Sequence, residues 1–192
     1  MKKLLIPIVL VVAIIAIFAG VFFSSYNGFA DAEENVNNAY AQVETQLQRR
    51  LDLIPNLVNT VKGFAAHEEE VIGNIADARS NLAGASTPEE QAEANNELSG
   101  ALSRLLVVVE NYPDLKADAN FRQLMDELAG TENRLSVARQ DYNTVVSNYN
   151  KKVKRIPGSI VASLSGFDEK EYFEVDAAAQ KAPEVDFEGD GE

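Results

Sequence analysis

The sequence predicts an all-α protein in which one transmembrane helix leads into an antiparallel up-and-down bundle of long, coiled-coil-like helices. Three observations predict it. Residues 4–23 form a run without a charge, as long as a helix needs to cross the hydrocarbon core. One column of positions seven apart then reads Tyr40, Leu47, Ile54, Val61, Glu68, Ile75, Leu82, and a second reads Val43, Arg50, Leu57, Phe64, Val71, Ala78. Later the pattern returns as Phe121, Leu128, Leu135, Tyr142, Tyr149 and Ile156. Such spacing keeps one helix face turned toward partners over many turns.

In chain order, residues 1–3 are a short basic tail carrying Lys2 and Lys3. Residues 4–23 follow as the expected membrane anchor, with Pro7 in the first turns, where a missing N–H donor costs little. Two other readings fit less well. A cleaved signal peptide would use Lys2 and Lys3 as its basic start and Gly28 and Ala30 before the cut, but the apolar run is too long for that. A buried core helix would show a polar face, and this run has none. Lysines precede the span, while Asp31, Glu33 and Glu34 follow it. The positive-inside rule therefore places the N-terminus in the cytoplasm and the domain outside.

A helical pattern runs from about Ala30 to Ala83. Pro55 lies within it, removing a donor and crowding the carbonyl of Leu51. No turn residues flank Pro55 and the heptad keeps its phase across it, so the helix is expected to bend and continue. Residues 84–88 are the first clear break, and Thr87-Pro88-Glu89-Glu90 reads as a capping box opening a second helix. Its stripe is Ala94, Leu98, Ala101, Leu105, Val108 and Tyr112, and Pro113 stops it. A third helix is expected from near residues 118–120 to Pro157-Gly158, with one or two helical turns in 159–164. Residues 168–192 hold ten acids against two lysines and are expected to be loosely held. Within them, 183–187 is a small apolar island that either docks on the bundle or adds an extended segment.

Charge and composition exclude several functions. Of the net charge of −13, the acidic tail carries −8, and a domain this acidic is expected to carry no basic patch, which argues against nucleic-acid binding. Cysteine is absent, so there is neither disulfide nor thiol chemistry. His67, with Glu68, Glu69 and Glu70, is the sole candidate for catalysis or metal binding. His67 and Glu70 share a helix face, yet carboxylate-bridged di-metal bundles need two Glu-x-x-His motifs, and here there is one histidine in the reverse order. A solvated helix face explains these residues better. No metal or cofactor is expected, and neither a nucleophile–base pair nor a phosphate loop can be assembled.

Arg50, Glu68, Arg79, Glu132 and Arg139 interrupt otherwise apolar stripes. Either they sit at the stripe edge with their heads in water, or they form interhelical ion pairs that fix register. Counting helical rise, with a first helix reaching Ala83, pairs Glu68 with Arg139. Asn143 and Asn150, each following a stripe tyrosine, are expected to hydrogen-bond between helices.

The motifs resemble the bacterial LemA family over nearly the whole chain. They are Tyr26-Asn27, Arg50-Leu-Asp-Leu-Ile-Pro55-Asn56-Leu-Val58, Ala66-His-Glu68, Ala78-Arg79, Glu110-Asn-Tyr112-Pro113-Asp-Leu-Lys116, Thr131-Glu132, Ala138-Arg139, Tyr142-Asn143, Tyr149-Asn150 and Gly166-Phe167. The resemblance implies a single-pass membrane protein with a helical bundle over about 26–167. It attaches no activity, and it marks Arg50, Pro55, Asn56, Glu68, Arg79, Tyr112, Pro113, Glu132, Arg139, Tyr142, Asn143, Tyr149 and Asn150 as structural or interaction residues. The function expected is a non-enzymatic, membrane-tethered scaffold or protein-interaction module of the cell envelope. Its partners would be the bilayer through 4–23, other proteins, and possible further copies of itself. The alternative is a metal-dependent or other envelope enzyme using the His67/Glu70 region.

Overall fold

A computed structural model describes residues 2–65 and 67–174. The described residues form six helices and no strand: α1 (Lys2–Phe64), α2 (Glu69–Gly84), α3 (Pro88–Val109), α4 (Pro113–Ala117), α5 (Ala119–Lys154) and α6 (Gly158–Ser165). Helix α1 is long and apolar enough to cross a membrane near its N-terminus, and its large apolar side chains from Ile8 to Phe23 are mostly exposed. It passes through Pro55 without a break, as the unbroken heptad phase requires. The chain divides into two compact units: residues up to Gln46 with Asn133–Tyr172, and Leu47–Glu132 with the described residues from Phe173.

The first unit is an antiparallel pair of helix segments, α1 up to Gln46 and α5 from Asn133. Lys152 Nζ donates to Gly28 O at 3.2 Å, Phe29 packs on Tyr149, Tyr40 on Tyr142, and Arg134 Nε donates to Gln46 Oε1. Residue numbers on the two helices thus change in opposite directions. Stripe residues Phe29, Val36, Val43, Leu135, Tyr142, Val146 and Tyr149 are buried between them. Helix α6 then packs on this pair through Val161 and Ala162. Gly158 is required at its start, since a Cβ there would lie 2.4 Å from Lys152 O. The Ile156–Pro157 peptide is cis. Gly166, at φ +76°, ends α6 in the left-handed conformation that glycine adopts freely, and Phe167 stacks on Phe29.

The second unit is an up-down-up-down bundle of four helical segments, and here the sequence reading needs correction. The first helix does not continue to Ala83. It ends at Phe64, and α2 folds back along it, so that Arg79 reaches Leu51. Lys62 in the last turn of α1 and Glu69 and Glu70 in the first turn of α2 suit the dipoles of two helix ends meeting there. Helix α3 opens with the predicted capping box: Glu90 N donates to Thr87 Oγ1 and Thr87 N to Glu90 Oε2. Its partner is α2, and Asn81 bonds Glu97 across them. The link from Tyr112 to Asp118 holds the short helix α4 with Leu115 buried. The bundle's core includes Leu47, Ile54, Leu57, Val61, Ile75, Leu98, Leu105, Phe121 and Leu128. Each such aliphatic or aromatic side chain, fully buried, contributes about 1.5–3 kcal/mol.

The start of the acidic tail is held in place. Residues 168–172 run beside α5 in the first unit, and Phe173 is 1% exposed. The apolar island at 183–187 lies outside the described residues.

Candidate functional site

Four of the five charged residues that interrupt the stripes lie in the second unit, and two of them, Arg50 and Glu132, pair there. The Arg50 side chain sits on the core face of α1, where the heptad column places it, and is 2% exposed. Its guanidinium pairs with Glu132 of α5, bonds Asn95 Oδ1 of α3, and lies 3.2 Å and 3.3 Å from Ser99 Oγ. One cation therefore ties three helices together. The carboxylate is on the rim, 39% exposed against 3% for the arginine side chain. A buried guanidinium held by a carboxylate, an amide and a hydroxyl fixes helix register, because sliding any helix by one residue would strand the charge.

A second contact follows from Pro55. Lacking an N–H, it leaves the carbonyl of Leu51 without its helical donor, and Arg79 Nε of α2 donates to that oxygen at 3.1 Å. Arg79 is thus neither a solvated edge residue nor part of an ion pair with α5. It satisfies a defect in the neighbouring helix. Asn56 is exposed beside Pro55, and its backbone carbonyl accepts from Thr60 Oγ1.

Glu68 lies in the turn between α1 and α2, where its carboxylate accepts from Tyr112 Oη at 2.8 Å. That hydrogen bond pushes the Tyr112 phenol above its usual range. Pro113 follows as the first residue of α4. The expected Glu68–Arg139 pairing is overturned. Arg139 lies on α5 between Arg134, bonded to Gln46, and Tyr142, packed on Tyr40, so it stands opposite residues 40–46 of α1. The miscount came from the missed reversal at 65–68, which adds a descending helix and makes α5 antiparallel to α1.

In the first unit, Asn150 is 4% exposed and forms a two-way clamp on the segment after α6. Its Nδ2 donates to Lys170 O and its Oδ1 accepts from Lys170 N, both at 2.9 Å. Asn150 thus bonds an extended segment and not a helix. Tyr142 Oη donates to Glu171 O at 2.8 Å, and Lys170 Nζ pairs with Glu33. Burial, then the neighbouring Tyr40 and Glu171, push the Tyr142 phenol up to about 12. Burial, then Glu33 and Asp168, do the same to Tyr149, also to about 12. Asn143 is half-buried on the same helix.

His67 and Glu70 are both exposed, and among the described residues no three metal-ligating side chains converge. Sequence reading missed Asn95 and Ser99, the partners of Arg50. The signal was present, since Gln91, Asn95 and Ser99 form a polar column four apart beside the apolar stripe. Lys170 and Glu171 were missed as well, because only their backbone atoms meet Asn150 and Tyr142.

These features define an all-α protein with, among the described residues, one helix long and apolar enough to cross a membrane, its bundle registered by a buried arginine. Residues 39–187 match the LemA family, and the chain belongs to it. Two magnetosome proteins of Paramagnetospirillum magneticum, MamQ 1 and MamQ 2, are each 28% identical to it, covering 87% of this chain and 71% of theirs. Protein LemA of Metamycoplasma hominis is 24% identical over 72% of this chain and 64% of its own.

Proposed function

We propose that the protein is a non-enzymatic, single-pass scaffold of the bacterial cell envelope, a tether that presents helical faces to protein partners or to further copies of itself. The observation that carries this reading is α1, one uninterrupted helix that holds both the apolar stretch and, beyond it, the core positions of the bundle. The magnetosome relatives support a membrane setting. Lys2 and Lys3 before the span, with acids after it, favour a cytoplasmic N-terminus and an external domain. Apolar side chains left exposed on the helices, Val107 at 72% and Val137 at 59%, are the contact points to probe.

Photo-crosslinkers placed singly at these two positions in native membranes test the proposal. A discrete crosslinked species, with a partner or a second copy, is expected. No adduct at either position, or stoichiometric metal in the purified full chain, would turn the reading toward the alternative at His67 and Glu70. Protease added outside intact cells should digest the domain. A domain that survives until the cells are broken would reverse the orientation.

A further inference from the structure

We propose that the junction of α5 and α6 is a docking face for anionic phospholipid headgroups of the leaflet from which α1 emerges. The proposal rests on α1 spanning the membrane, and the test separates the two.

Three observations converge. The first is position. Lys152 Nζ touches Gly28 O, and a cleft of about 530 Å³ between the helices is lined by Ser25, Gly28, Lys151, Lys152 and Arg155. Ser25 and Gly28 lie two and five residues past the end of the apolar stretch, about 3 and 8 Å along a helix. That is headgroup depth, since the interfacial layer occupies roughly 5–8 Å on each side of the hydrocarbon core. The second is charge. Lys154 is neutralised by Glu169 at 2.7 Å, whereas Lys151, Lys152 and Arg155 are exposed and pair with no carboxylate among the described residues. In an acidic protein, this cluster of cations faces the place where lipid phosphates would stand.

The third is apolar exposure. Ile160 and Leu164, four apart on α6, are 57% and 72% exposed, and Ile156 in the turn before it is 81% exposed, while Val161 and Ala162 are buried. The start of α6 is held at Phe29 by the close approach of Gly158. Its end is held there too, by Phe167 on Phe29 and Tyr26. Both ends of α6 therefore stay level with residues 26–29, and its uncovered stripe lies at the bilayer surface. A basic cluster beside an apolar stripe is the pattern of a segment lying in the membrane interface.

The chain has no cysteine, so one introduced thiol gives one labelled site. Full-length Ile160→Cys, carrying an environment-sensitive fluorophore, is reconstituted into vesicles of phosphatidylcholine alone or mixed with phosphatidylglycerol. Both vesicles contain lipid spin-labelled near the headgroup. Val12→Cys reports the span and Glu93→Cys an exposed bundle site. Each basic residue at an anionic surface is worth about fivefold in membrane attachment. Quenching at position 160 should thus be several-fold greater in the anionic vesicles, and the triple change Lys151→Glu, Lys152→Glu, Arg155→Glu should return it to the neutral-vesicle level. Circular dichroism checks that the triple variant keeps its helices. With Val12 in the acyl region, position 160 no better quenched than position 93, or quenched equally in both vesicles, would overturn the proposal. So would label–label contact at position 160, the sign of a second copy covering the stripe. A label at Val12 that stays in water would instead overturn the membrane span itself.

Discussion

Arg79 of α2 donates its Nε hydrogen to the carbonyl oxygen of Leu51, the oxygen that Pro55 leaves without a helical donor. Two residues 24 positions apart in sequence are coupled through one backbone atom that neither owns. The proline breaks a bond inside α1, and the arginine uses the vacancy to hold α2 against it.

That coupling is measurable. A charge-assisted hydrogen bond to a half-buried carbonyl is worth about 1–2 kcal/mol, so Arg79→Met should cost that much in the native background. With Pro55→Ala, residue 55 regains an N–H that competes for Leu51 O, and Arg79→Met should then cost close to nothing. Urea unfolding of the full chain in detergent gives the four stabilities, and additive values would show that the two residues act independently.

Arg50 and Glu132 make the second prediction. Removing the carboxylate from an almost fully buried pair costs about 3–5 kcal/mol, but Glu132 is 39% exposed, and water screening should bring the cost of Glu132→Gln to about 1–3 kcal/mol. Arg50→Met should cost at least as much, since it leaves the fully buried Asn95 carbonyl without its donor. A double-mutant cycle should show coupling of about 1–2 kcal/mol, and a coupling of zero would remove the register role.

Asn150→Ala should release residues 168–172. Two hydrogen bonds at about 1 kcal/mol each are lost, and the amide of Lys170 should exchange with solvent much faster. Asn150→Asp keeps the acceptor for Lys170 N but opposes a carboxylate to Lys170 O, so it should rescue only in part. Proteolysis between residues 168 and 174, followed by mass spectrometry, reads the release. Unchanged protection in Asn150→Ala would show that Phe173 and the Lys170–Glu33 pair hold the segment alone.

Alkaline pH should loosen the first unit. Tyr142 and Tyr149 titrate near 12 in the fold and near 10 when unfolded, so the native state prefers the neutral phenol. Their contribution to stability is complete below about pH 10 and is lost as pH rises through 12. Ultraviolet difference absorbance should resolve Tyr142 and Tyr149 as tyrosines titrating near 12, and Tyr149→Phe should remove one of them. Six tyrosines titrating together near 10 would contradict the burial.

Although α5 ends at Lys154, short of the expected Pro157-Gly158 and without Ile156, the helical class, the capping box at Thr87, the start of α5 and the α6 turns were all legible, because each depends on local chemistry or on period. The reversal at 65–68 was not, for a specific reason. Val61, Ile75 and Leu82 stay in one heptad column across it, so periodicity reports a continuous helix where the chain doubles back. The only local signs were Lys62 and the run of acids at 68–70, which read equally well as a solvated face. Arg50 was legible as an intruder in an apolar stripe, but its partners were not, since register follows from the reversal. Arg79's role lay beyond sequence reading altogether, because its acceptor is a backbone atom.

Residues 4–23 are expected to remain in place as a membrane anchor. Alkaline extraction of native membranes, followed by N-terminal sequencing of the retained protein, tests this most directly. The expected result is a chain that stays with the membrane fraction and keeps residues 4–23. A soluble chain beginning just after Ala30 would contradict it.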